Sequence, residues 1–174
     1  HKENGGISRF EKFRYFFSEI LKQDYDEITI EEMGMKYSKN VKKNLCNPTL
    51  LFTDVYDFIS KNHVKYNMHI VSASYHTELA YICDKLGINK YMSSITGSSP
   101  HAKRSKADNI KEIMNVYEYS NSETVLVGDT LNDMSAAFDS GIKFIGYRSN
   151  AIKKIYESSN NIDFYYFDKF PEKI

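Results

Sequence analysis

Asp129 and Asp133 stand four residues apart in Val125-Leu126-Val127-Gly128-Asp129-Thr130-Leu131-Asn132-Asp133. An apolar run delivers a glycine turn, a carboxylate at its tip and a second carboxylate in the next helical turn. Two hard oxygen donors on so short a turn suit Mg²⁺, which takes a few carboxylates and keeps water for phosphate oxygens. The plainer alternative is that Asp129 caps the helix and Asp133 complements its dipole. Ser72 closes another apolar run, Met68-His69-Ile70-Val71. Its hydroxyl can donate to a phosphate oxygen, and neighbouring backbone N–H groups can add to it. Here the alternative is a mere turn, Ser72-Ala73-Ser74, with Ser74 as N-cap. Lys106 opens a helix behind Lys103 and Arg104. Cations oppose the helix dipole there unless a phosphate is held nearby; otherwise they are solvated residues of a basic turn. Arg9 repeats the pattern behind the N-cap Ser8, with Gly5-Gly6 allowing a tight turn before it. It reads as a grip on an anionic part of a ligand, or as an exposed arginine.

Those residues need elements to hold them, and the periodicity supplies candidates. Ser8-Arg9-Phe10-Glu11 is a capping box, and Phe10, Phe13, Phe17 and Ile20 form the apolar face of the helix it opens. Thr29-Ile30-Glu31-Glu32 predicts a second helix with Met33, Tyr37, Val41 and Leu45 inward. Asn47-Pro48 predicts the start of a third, with Leu51, Val55, Phe58 and Ile59 on its face. From there strands and helices alternate. Strands are expected at Met68–Val71, Tyr91–Thr96, Val125–Val127, Phe144–Tyr147 and Phe164–Phe167. Helices are expected over 79–86 with Gly87 as cap, over Ser105–Tyr119, over Leu131–Ser140 with Gly141 as cap, and near Ile152–Glu157. Such alternation implies an α/β fold: a Rossmann-like, mostly parallel sheet flanked by helices. Ligands then bind beyond the carboxyl ends of strands, which selects Ser72, the Ser98–Lys106 loop and Gly128-Asp129.

The chain has 174 residues, 41% hydrophobic and 26% charged, with 23 basic and 23 acidic side chains. That balance fits one globular domain and argues against a nucleic-acid partner, which calls for a basic excess. No apolar run reaches the roughly 18 residues of a membrane helix, and the polar start carries no signal-peptide pattern. Cys46 and Cys83 are isolated, as expected of reduced thiols in a cytoplasmic protein. His63, His69, His76 and His101 lack metal spacing. His69, inside an apolar strand, reads as a core histidine.

A hydroxyl after a strand, a lysine opening a helix, then a strand ending Gly-Asp-x-x-x-Asp: this order resembles the haloacid dehalogenase (HAD) superfamily of phosphohydrolases. Ile70-Val71-Ser72 resembles its second motif, Lys106 its third-motif lysine, and Gly128 to Asp133 its acidic fourth motif. Gly6-Ile7-Ser8-Arg9 is similar to the cap loop of the beta-phosphoglucomutase and phosphoglycolate phosphatase branch. The resemblance implies a partial helical cap over 1–46 and an α/β core over 47–174 lacking its first, central strand. No segment matches the family's first motif, D-x-D-G-T after a hydrophobic strand. Asp24-Tyr25-Asp26 and Asp54-Val55-Tyr56-Asp57 lack that context. With a start inside the cap and no initial Met, a truncated reading frame is expected, inactive by itself, with open edges where the strand is missing.

For the intact parent the resemblance implies a Mg²⁺-dependent phosphatase of small phosphorylated metabolites. The missing aspartate attacks phosphorus and forms an aspartyl-phosphate. Ser72 and Lys106 hold the phosphoryl oxygens as catalytic and substrate-binding residues. Asp129 and Asp133 hold the metal, and Arg9 reads the substrate's distal group. Two alternatives remain. One is a phosphomutase, although Ala107 stands where that branch has proline after its lysine. The other is an inactive HAD-like binding protein.

Overall fold

The computed structural model describes residues 7–101, 104–159 and 163–172. They divide into two compact units, one spanning Ile7–Lys103 and the other including Arg104–Ile174.

In the first unit, α1 (Arg9–Tyr15) starts at the expected capping box. Ser8 Oγ accepts from the Glu11 N–H at 3.2 Å, and Glu11 accepts from the Ser8 N–H at 3.0 Å. The helix then widens into a π-helical turn, Phe16–Leu21, which ends on Lys22 at φ 53°. A π turn holds more residues than an α turn, so it rotates the residues beyond it. The expected stripe therefore breaks: Phe10 is buried, but Ile20 is 59% exposed. The next helix, α2 (Glu27–Leu45), begins one turn before the expected box. Asp26 is its N-cap, accepting from the Thr29 N–H at 2.6 Å. Its buried residues are Ile30, Gly34 and Ser38, while Tyr37 and Leu45 of the expected stripe are exposed. The Phe10 ring sets that face. A Cβ on Gly34 would lie 2.4 Å from Phe10 Cε1, so only glycine admits the ring there.

Asn47 caps a single 3₁₀ turn, Pro48–Leu50, and the helix expected at Pro48 forms later as α3 (Thr53–Asn62), with Phe58 buried. Strand β1 (His69–Tyr75) pairs in parallel with β2 (Ser94–Ser98), and α4 (His76–Lys85) connects them. Their register is regular from His69↔Ser94 to Val71↔Thr96, then shifts to Tyr75↔Ser98. Gly87 (φ 66°) ends α4, with the Ile88 N–H reaching back to the Cys83 carbonyl at 2.8 Å.

The second unit carries α5 (Lys106–Val116), β3 (Val125–Gly128), α6 (Leu131–Asp139), β4 (Lys143–Tyr147), α7 (Asn150–Ser158) and β5 (Phe164–Phe167). The strands form a parallel sheet in the order β3-β4-β5. A parallel sheet needs both faces covered, and central β4 buries Phe144, Ile145 and Tyr147. The architecture is thus α/β, with parallel sheets and crossover helices. Among the described residues, no further strand pairs with β1 or with β3, and no helix is long and apolar enough to cross a membrane.

Candidate functional site

The carboxyl end of β3 runs into Gly128-Asp129-Thr130, and Thr130 caps α6. Its hydroxyl oxygen accepts from the Asp133 N–H at 3.1 Å. Asp133 Oδ2 in return accepts from the Thr130 N–H at 3.0 Å, the Thr130 hydroxyl at 2.7 Å and the Asp129 N–H at 3.2 Å. Its other oxygen, Oδ1, takes the Lys106 ammonium. The side chains of Lys106 and Asp133 are only 12% and 8% exposed. Gly128 makes this closure possible, because a Cβ there would lie 2.4–2.7 Å from Asp133 Cβ, Cγ and Oδ2. Burial alone would push the Asp133 carboxyl up. The Lys106 charge and hydrogen bond, with those of Thr130, outweigh it and hold the group below the usual aspartate range.

The two acidic residues thus have different surroundings. Both Asp133 oxygens are engaged, so Asp133 orients the turn and Lys106. The Asp129 side chain belongs to an exposed residue, on a backbone that the Asp133 carboxylate holds from behind. A Mg²⁺ ion needs only one or two protein carboxylates when phosphate and water complete its octahedron. Asp129, with Asp133 supporting it, fits that requirement. Among the described residues, no three His, Cys, Asp or Glu side chains gather into a fuller cation site.

Lys106 stands at the first position of α5, behind the Ser105–Asp108 capping box. Arg104 pairs with Glu112, and Lys103 lies outside the described residues. A cavity of about 560 Å³ is lined by residues such as Lys111, Glu118, Tyr119 and Ser140. It lies at the far ends of α5 and α6 and has no share in the Lys106–Asp133 cluster.

Ser72 and Arg9 lie in the unit Ile7–Lys103. Ser72 falls within the irregular stretch of β1, and its Oγ accepts from the Ser74 N–H at 3.1 Å. The Ser98 hydroxyl donates to the Ala73 carbonyl at 2.9 Å, which ties together the carboxyl ends of both strands. Arg9 is gripped from several sides. Its Nη1 donates to Ser38 Oγ at 3.0 Å and to Glu78 Oε2 at 2.8 Å, and its Nη2 donates to Glu78 Oε1 at 2.5 Å. The Tyr37 ring lies 4.6 Å from the guanidinium carbon. Gly5-Gly6, the turn expected before Arg9, lies outside the described residues. Glu78 is a residue that sequence reasoning misses. It is 1% exposed, and its partner precedes it by 69 residues, so no local spacing signals it.

The model of the family described as haloacid dehalogenase-like hydrolase matches residues 5–147. No curated protein matches the sequence. Among solved structures, a haloacid dehalogenase-like hydrolase from Streptococcus pneumoniae is similar at TM-score 0.67 and 19% identity, over 96% of this chain and 75% of that one. A protein described as a predicted phosphatase from Clostridium acetobutylicum gives TM-score 0.70 and 16% identity, over 95% and 74%. The HAD-hydrolase YfnB from Bacillus subtilis, solved bound to magnesium, gives TM-score 0.62 and 19% identity, over 97% and 71%. Identities this low speak to the fold, which is the Rossmann-like α/β arrangement of these hydrolases.

Proposed function

The chain belongs to the haloacid dehalogenase-like hydrolases, and from that premise we propose that it carries the phosphate- and metal-binding half of a Mg²⁺-dependent phosphatase of small phosphorylated metabolites. The observation that carries the reading is the buried Lys106–Asp133 pair beside Asp129 at the carboxyl end of β3. Lys106 supplies a fixed positive charge for a phosphoryl group; Ser72, inside β1 of the other unit, is the hydroxyl that the family resemblance assigns to phosphate binding. Asp129 is the carboxylate that would hold Mg²⁺, with Asp133 setting its backbone. When bound, that ion neutralises phosphate charge. A substrate anion reaches Arg9 only by competing with Glu78.

The cap is assigned to 1–46 and the catalytic core to 47–174. Because no aspartate of this sequence has the first-motif context, the chain as given binds rather than turns over. Ala107 after Lys106, and Glu78 already neutralising Arg9, favour a phosphatase over a mutase that must hold a second phosphate.

A calorimetric titration tests the reading. Orthophosphate is expected to bind more tightly with Mg²⁺ present. Asp129→Asn is expected to abolish the Mg²⁺ effect, and Lys106→Ala to abolish phosphate binding. A folded chain that binds neither Mg²⁺ nor orthophosphate overturns it. Phosphate release from p-nitrophenyl phosphate by the 174-residue chain would overturn its assignment as inactive.

A further inference from the structure

We propose that Arg9, Ser38 and Glu78 form a latch that fixes α1 and α2 on α4, with Glu78 as the residue that positions Arg9. The three side chains come one from each helix. Both Glu78 oxygens receive the guanidinium fork, at 2.8 and 2.5 Å, and Ser38 accepts from it at 3.0 Å. Paired forks of this kind fix orientation as well as distance. Glu78 lies in the first turn of α4, where a carboxylate suits the positive end of the helix dipole. Side-chain exposure is 11% for Arg9 and 1% for Glu78, so the pair is shielded from water.

Neighbouring contacts give the latch an apolar counterpart and a second tie. Phe10 packs on Gly34 of α2 and meets the Tyr75 ring of β1 edge-on at 5.5 Å. Arg14 binds Glu27, which opens α2, at 3.0 and 2.5 Å, and donates to the Pro100 carbonyl at 3.1 Å. Helix α4 follows β1 directly and Pro100 lies just beyond β2. Helix α1 is therefore tied to the segments at the carboxyl ends of both strands. In a parallel sheet that edge is where ligands bind, so the latch decides whether α1 stays docked there.

The chemistry makes the catch close to all-or-none. Removing one partner of a shielded ion pair leaves a buried charge with nothing opposite it, whereas removing both charges leaves no such penalty. The latch rests on these contacts within the unit Ile7–Lys103 and is independent of the phosphatase reading.

Hydrogen exchange on the full chain, read by mass spectrometry, tests it. In Glu78→Gln, amides of α1 and α2 are expected to exchange at least about 10-fold faster, with β1 and β2 as protected as in the wild type. Arg9→Gln is expected to give the same pattern. The Arg9→Gln/Glu78→Gln double variant is expected to return α1 and α2 to within about 3-fold of wild type, since no unpaired charge remains. Wild-type exchange in α1 of the single variants overturns the latch. So does loss of protection spread evenly over β1 and β2, or a double variant as loose as the singles. If Glu78→Gln does not fold, Ser38→Ala serves in its place: faster exchange confined to α1 and α2 supports the latch, and unchanged exchange overturns it.

Discussion

Asp133 is a buried acid whose partners favour its charge: Lys106 on one oxygen, Thr130 and the Asp129 N–H on the other. Such a pair adds little over a well-packed apolar substitute, but breaking it from one side strands a buried charge. Lys106→Met and Asp133→Asn are each expected to lower unfolding stability by about 3–5 kcal/mol, with the double variant losing clearly less than their sum. Urea midpoints at equal slope measure this, and additive losses would remove the pairing argument. Asp129 and Asp133 stood out in the sequence because strand, glycine turn and acidic helix start are contiguous, whereas Lys106, 27 residues before Asp133, showed only a cation at a helix start. What spacing could not tell was the division of labour: Asp133 faces Lys106 and its own turn, which leaves Asp129 as the outward carboxylate. Ser72 meets neither of its sequence readings in full: it lies inside β1 rather than at its end, and its hydroxyl accepts from the Ser74 N–H, while Tyr75 rather than Ser74 is the N-cap of α4. Glu78 had no local signal, since its charge is answered from another helix.

At the scale of elements, local pattern located segments and tertiary contact chose their faces. All five strands and the capping box at Ser8 sit close to where alternation and cap chemistry put them, the start expected at Thr29 moves to Asp26, and a capping box at Ser105 opens the helix expected there. The inward face of α2 went otherwise because a ring from α1 seats on Gly34, and the π turn after α1 rotates Ile20 outward. Neither event can be had from counting apolar residues along one helix. Strand β1 carries a titratable example. His69 lies in the strand with Nδ1 at 2.7 Å from Ser94 Oγ, and burial pushes its pKa below the ordinary 6.5. The folded state therefore binds the proton less readily than the unfolded state. Stability is full above the unfolded value and falls as pH drops through 6.5 toward the folded pKa. Between about pH 8 and about pH 5, His69→Gln is expected to lose less stability than the wild type. Urea unfolding at the two pH values measures the loss, and an equal loss in both proteins would show that His69 does not titrate on unfolding.

At the scale of the whole molecule, the strand edges govern how the chain meets other chains. Parallel strands ordinarily lie inside a sheet with both neighbours present and both faces covered. Here β3 pairs with β4 alone among the described residues, and its sequence is the wholly apolar Val-Leu-Val-Gly. Val125 and Val127 each remain 37% exposed, against the nearly complete burial of β4 next to them. A short apolar strand with one unpaired row of N–H and C=O groups is a template for another chain. Charge on such an edge is the usual protection, and β3 carries none until Asp129. The isolated chain is therefore expected to self-associate with rising concentration, seen as a growing weight-average mass in sedimentation. Val127→Lys places a charge opposite Ile145 and is expected to suppress that growth while leaving the circular dichroism spectrum unchanged. If the wild type stays monomeric at all concentrations, the β3 edge is already protected.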